Sequence, residues 1–184
     1  MKLKALIIFA GLSVGYSLSS KTYAQFSLGA ELGLPMGNFS DIANAGFGAS
    51  VRYEASINDK LNWTGAIGYL SFSGKNFTSG NVTIPFGNST IVPLTGGIKY
   101  YFSEASTGFY GSADLNLNFV SYYTYSLNSG NGGGYNTTSV SESKFGLAPG
   151  LGYRAGNWDF SGKFNIISNF NYFGLRVAYI FGTK

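Results

Sequence analysis

The chain has 184 residues and a formal net charge of +4, with 45% hydrophobic, 17% aromatic and only 11% charged residues. Soluble domains carry about 25% charged residues, yet the 16 Phe and 14 Tyr exclude the aromatic-poor composition of a disordered chain. Neither cysteine nor histidine occurs, which removes disulfide frameworks, thiolate nucleophiles, Cys- or His-ligated metals and the commonest general base together.

Residues 1–24 read as a secretory signal peptide. Lys2 and Lys4 precede an apolar run over 5–14, and Thr22-Tyr23-Ala24 puts small residues at the two positions that cleavage requires. The run is too short to span a bilayer comfortably. Gln25 then begins the mature chain, with nine basic residues against eight acidic ones and a net charge of +1. Most of the apparent basicity belongs to the signal, and with it goes the case for nucleic acid as a partner.

Beyond residue 25 no helical stripe persists, and the pattern is alternation with period two. Segment 26–34 sets Phe26, Leu28, Ala30, Leu32 and Leu34 against Ser27, Gly29, Glu31 and Gly33. Segment 46–57 sets Phe47, Ala49, Val51 and Tyr53 against Ser50, Arg52 and Glu54. In 61–72, Trp63, Ile67 and Tyr69 oppose Asn62, Thr64 and Ala66, and in 91–102, Val92, Leu94, Ile98 and Tyr100 oppose Thr95, Gly97 and Lys99. Segment 109–123 sets Phe109, Ala113, Leu115, Leu117 and Phe119 against Ser112, Asp114, Asn116 and Asn118. Segment 144–155 sets Phe145, Leu147, Leu151 and Tyr153 against Gly146, Ala148, Gly150, Gly152 and Arg154. In 159–167, Phe160, Phe164 and Ile166 oppose Ser161, Lys163 and Asn165. The last segment, 172–181, sets Phe173, Leu175, Val177, Tyr179 and Phe181 against Gly174, Arg176 and Ala178. Eight strands result.

Small residues decide between a sandwich and a barrel. A water-facing sheet surface would be rich in Lys and Glu, whereas here the polar face is Gly, Ser, Ala and Asn with about one charge per strand. That face fits the crowded interior of a narrow closed barrel whose large apolar face meets lipid. Closure also satisfies every backbone group, as hydrocarbon requires. Connections 35–45, 73–90 and 124–143 are long and 168–171 is short, while 58–60, 103–108 and 156–158 are tight. Long loops thus gather on one side, and the termini share the other, periplasmic, side. Phe26, Tyr53, Trp63, Tyr100, Phe102, Phe109, Tyr153, Trp158, Tyr179 and Phe181 then form one aromatic girdle, and Tyr69, Phe119, Phe145 and Phe173 a second. Pro149 is the awkward residue, because proline cannot donate to a ladder and a closed barrel has no edge; a local bulge would accommodate it.

With this threading the chain resembles the small eight-stranded outer-membrane β-barrel proteins of Gram-negative bacteria, similar to the barrel domain of outer-membrane protein A. The most specific piece is the last segment, where Tyr172, Gly174, Val177 and Tyr179 match the assembly signal polar-x-Gly-x-x-apolar-x-aromatic. The resemblance implies an integral outer-membrane barrel, inserted by the barrel-insertion machinery and monomeric, with outer-membrane lipid around it.

The candidate site is the barrel interior, where Glu31, Arg52, Glu54, Lys99, Asp114, Arg154, Lys163 and Arg176 point inward, five basic and three acidic. Charges in a low-dielectric lumen are expensive unless paired, so an ion-pair network that plugs the barrel is expected. The alternative is a narrow conduit or small-ligand pocket that favours anions. Gly130-Asn-Gly-Gly-Gly134 lacks the strand-to-helix context and the Lys-Ser/Thr of a phosphate loop and reads as a surface loop. Without histidine no Ser-His or Asp-His pair can be assembled, so no catalytic residue, metal site or cofactor is assigned. Function then rests on structure or on surface interaction, through the Tyr-, Asn- and Gly-rich connections 73–90 and 125–143 facing an extracellular ligand.

Overall fold

The structure, a computed structural model, describes residues 24–79, 82–85, 87–103, 106–127 and 135–182. The signal peptide expected over 1–24, Ala24 apart, and the Gly130–Gly134 stretch lie outside them. The period-two pattern folds as strands: β1 (Ala24–Pro35), β2 (Ala43–Ser56), β3 (Leu61–Gly74), β4 (Asn76–Ser79), β5 (Val82–Pro85), β6 (Ser89–Tyr101), β7 (Gly108–Leu127), β8 (Tyr135–Ala155), β9 (Trp158–Ile167) and β10 (Tyr172–Phe181). A five-residue helix, α1 (Asn38–Ile42), precedes β2.

Eight of these strands close an all-antiparallel up-and-down barrel in the order β1-β10-β9-β8-β7-β6-β3-β2. β1 seals it against β10 in unbroken register from Phe26↔Phe181 to Pro35↔Tyr172. With no free edge at the seam, every strand of the wall has two neighbours. The predicted faces are the observed ones: Phe26, Leu28 and Leu34 are exposed on the outside of β1, while Gln25 and Ser27 are buried inside. Every Asp, Glu, Lys and Arg on a barrel strand points inward, and the outward face is apolar apart from hydroxyl residues toward the loop end such as Ser71, Ser121, Ser141 and Ser143.

The two ends of the barrel differ. At the turn end, Asn58 caps its own turn, accepting from the Lys60 and Leu61 amides at 3.0 and 2.8 Å. Gly156 (φ 58°) supplies the left-handed residue that the two-residue β8–β9 turn needs. Outward aromatics stack around this end, with ring centroids at 5.0 Å for Phe26–Tyr53 and Tyr53–Trp63, 4.7 Å for Phe109–Tyr153 and 5.4 Å for Trp158–Tyr179. At the loop end the connections are structured beyond expectation. The 35–45 connection contains α1, the 73–90 connection contains the β4–β5 hairpin, and β8 starts at Tyr135 rather than Lys144. β7 and β8 therefore run on together as a two-stranded ribbon, paired as far as Leu127↔Tyr135.

Pro149 requires no bulge. Its pairing with Ala113 on β7 is unbroken, and on the β9 side the bridges stop at Leu147↔Ile166 and resume at Gly150↔Lys163 in the same register. Pro93 behaves identically: it pairs with Asn118 on β7, while β3–β6 bridges skip from Ile67↔Leu94 to Leu70↔Ile91. Each proline faces its missing donor toward one neighbour, and the ladder closes again within two residues.

Candidate functional site

The inward face builds two stacked levels. The level nearer the turns is charged. Asp159, at the start of β9 and 1% exposed, is its hub. Its Oδ2 accepts from Lys99 Nζ at 2.8 Å and from the Tyr110 hydroxyl at 2.9 Å. Its Oδ1 faces Arg176 Nη1 at 3.5 Å and Arg52 Nη1 at 3.9 Å. Lys99 also reaches Glu54 Oε2 at 2.8 Å and lies 4.3 Å over the Tyr110 ring. Glu54 Oε1 in turn accepts from Asn62 Nδ2 at 2.6 Å and from the Tyr101 hydroxyl at 2.9 Å. Arg176 donates through Nε to Ser50 Oγ at 2.8 Å and through Nη2 to Ser27 Oγ at 3.0 Å, with Glu31 Oε1 3.7 Å away. Lys163 is paired with Asp114, whose other oxygen accepts from Thr64 at 3.3 Å.

Seven of the eight predicted interior residues thus meet in this one level. Arg154 does not. It sits at the turn end, donating to Gln25 Oε1 at 2.6 Å and to the Gly156 carbonyl at 3.2 Å. Sequence reasoning left out Asp159, although its parity with Ser161 and Lys163 already puts it inside. It also missed Tyr101 and Tyr110, which are fully buried. With Asp159 counted, the network proper holds four cations, Arg52, Lys99, Lys163 and Arg176, against four carboxylates, Glu31, Glu54, Asp114 and Asp159. The positive excess read from the sequence therefore comes down to Arg154. Glycines on the neighbouring strands give the network room, since a Cβ on Gly152 would run into the Tyr110 ring.

The level nearer the loops is apolar. Phe39, Leu70, Phe72, Ile91, Val120, Ile167, Phe170 and Tyr172 form one buried cluster inside the barrel mouth. Phe39 comes from α1 and Phe170 from the β9–β10 turn, and their rings meet edge to face at 5.2 Å, with Phe72 5.0 Å from Phe39. Two connections thereby fold into the lumen and cap it. Between the levels lies a cavity of about 40 Å³. Among the described residues no three of Asp, Glu, His or Cys are placed to hold a metal ion.

The residues matched to the assembly signal divide by face. Tyr172 is buried in the apolar cluster and Gly174 borders the cavity, whereas Val177 and Tyr179 are exposed outside.

No protein-family model matches the sequence, and no curated protein matches it either. Among solved structures the chain is similar to Ail, the attachment invasion locus protein of Yersinia pestis, in complex with the heparin analogue sucrose octasulfate. The TM-score is 0.53 at 12% identity, over 88% of this chain and all of that one. Ail in a phospholipid bilayer nanodisc matches with a TM-score of 0.52 at 13% identity over the same shares. The chain has the fold of the small eight-stranded outer-membrane β-barrels. The N-terminal barrel domain of Pseudomonas aeruginosa OprF is also similar, at 14% identity and a TM-score of 0.49 over 88% of this chain and all of that domain.

Proposed function

We propose that this chain is a non-conducting outer-membrane barrel that is held rigid by its filled lumen and presents its loop end to the cell surface as an interaction face. The observation that carries this reading is the pair of closures inside the barrel. The charged level matches four cations with four carboxylates, and the apolar level caps the mouth with Phe39 and Phe170. A conduit would need a continuous wet path, and an ionic filling beneath an apolar cap argues against one.

The outer surface supports this location. Exposed large side chains such as Phe47, Leu115, Phe145 and Leu151 would be an aggregation hazard in water, and hydrocarbon is the solvent they suit. The turn-end girdle fits a membrane interface, and the tight turns on that side support a reading with the termini in the periplasm and the loops outside. A signal peptide over 1–24 would deliver the chain. The barrel-insertion machinery would read Tyr172, Gly174, Val177 and Tyr179 on β10. No chemistry in the lumen supports an enzyme, and the barrel is read as a monomer in outer-membrane lipid.

The loop end has its own chemistry. Its charges are Asp41, Lys75, Glu142 and Lys144, an even balance with no basic patch. A polyanion of the kind bound to Ail in its crystal finds little to hold here. The ribbon and connections favour a partner recognised through Tyr, Asn, Ser and backbone groups.

Two measurements test the reading. Envelope fractionation is expected to recover the mature chain in the outer membrane, with heat-modifiable migration on detergent gels. Planar bilayers loaded with the refolded barrel are expected to carry no current above background. A mature chain that stays soluble without detergent would overturn the location, and steady single-channel openings would overturn the plug.

A further inference from the structure

The cavity between the two levels has a wall that is short of negative charge. Three cations border it, Arg52, Lys163 and Arg176, against the carboxylates Glu31 and Asp114. Lys163 is matched by Asp114, and Arg176 is held by the Ser27 and Ser50 hydroxyls with Glu31 at 3.7 Å and Asp159 at 3.5 Å. Arg52 has far less. It is 5% exposed, and the carboxylate facing it, Asp159 at 3.9 Å, already binds Lys99 at 2.8 Å. Its Nη1 makes no hydrogen bond, and neither does the buried Ser161 hydroxyl on the same wall.

A guanidinium cannot shed its proton, so Arg52 has no route to neutrality when buried. A buried cation is costly unless something pairs with it and accepts its hydrogen bonds. The unmet demand is one hydrogen-bond acceptor for Arg52 Nη1, next to a hydroxyl that can donate. At about 40 Å³ the cavity has room for about three water-sized occupants, enough for a monatomic anion with a companion water.

We propose that this cavity is a binding site for a single halide ion, held between the Arg52 guanidinium and the Ser161 hydroxyl, with Lys163 and Arg176 adding longer-range attraction. The ion is a resident of the folded barrel, trapped as the strands close, and not a solute in transit. The site depends on the geometry of the lumen and not on where the barrel resides.

The test uses the full mature barrel refolded in zwitterionic detergent. Unfolding midpoints are measured in sodium chloride or bromide against sodium gluconate at fixed ionic strength, so that general screening is constant. The wild-type midpoint is expected to rise with halide and saturate as one-site binding does, with a shift on the order of 2–4 °C. Arg52→Gln is expected to abolish the response. If that variant does not fold, Ser161→Val, which replaces the donor by a methyl group, is expected to do the same. A bromide anomalous peak in contact with Arg52 in wild-type crystals is the direct readout. Equal midpoints in halide and gluconate, an undiminished response in the folded variant, or a cavity without bromide would each overturn the site, leaving water as its occupant.

Discussion

The two levels of the lumen fill the same barrel by opposite means. Near the turns the filling is ionic, and nearly every contact joins one wall strand to another: Lys99 on β6 to Asp159 on β9, Glu54 on β2 to Lys99. Near the loops it is apolar, and two of its central rings, Phe39 and Phe170, arrive on connections. The ionic level therefore couples strand to strand across the barrel, while the apolar level couples loop to barrel. Their failure modes differ accordingly. Removing one partner from a buried ionic cluster strands the others without solvation. Removing one ring from the cap costs contacts, and the segment that carried it can undock.

The sharpest way to break the comparison is at the hub of the ionic level. Asp159→Ala takes the carboxylate from Lys99, Tyr110, Arg52 and Arg176 at once. The expected loss is about 3–5 kcal/mol, the usual cost of orphaning a buried charge, read as a drop in urea midpoint for the barrel in detergent micelles. A loss under about 1 kcal/mol would mean that water solvates these charges and that the lumen is open.

The cap is expected to respond less and more locally. Truncating a buried Phe in a continuous core costs about 3–5 kcal/mol. Phe39, however, sits on a five-residue helix whose undocking sets a ceiling on the loss. Phe39→Ala should cost about 2 kcal/mol. Hydrogen exchange should speed up over residues 38–45 and stay unchanged at the β8–β9 turn. If protection instead fell around the whole barrel, the cap would be part of the wall's cooperative unit, and the contrast between the levels would disappear.

How much of this was legible in the sequence follows from the same division. Wall strands announce themselves because one face must meet a uniform apolar environment, and alternation from Phe26 to Phe181 records that constraint residue by residue. Seven of the charges in the network carry the same record by parity, and Asp159 could have been added to them by counting back two from Ser161. The cap left no such trace. Phe39 and Phe170 lie in connections where no periodicity applies, and Leu70, Phe72, Ile91 and Val120 look like exceptions to a polar inner face until the fold assembles them. Partner choice was also hidden: five inward cations and three inward carboxylates did not say that Arg154 would stand apart or that Lys99 would bridge Glu54 and Asp159. The extension of β8 to Tyr135 was masked by a Ser- and Thr-rich stretch, 137–143, that reads equally well as loop.

The smallest expected effect is that of replacing Pro149, a residue that a closed wall has no edge to accommodate. At Pro149 the ladder toward β9 is interrupted while the ladder toward β7 is intact, so the missing N–H faces a gap that the strands already tolerate. Pro149→Ala should change stability by less than about 1 kcal/mol in either direction. Leu147 lies two residues earlier on the same outward face, but its bridge to Ile166 is made. There a proline removes a working ladder bond in surroundings that offer no substitute, and Leu147→Pro should cost about 3 kcal/mol or more. Measured side by side in one detergent, the pair separates position from residue type. Comparable losses in both variants would mean that Pro149 is holding the wall in register and not merely sitting in a gap.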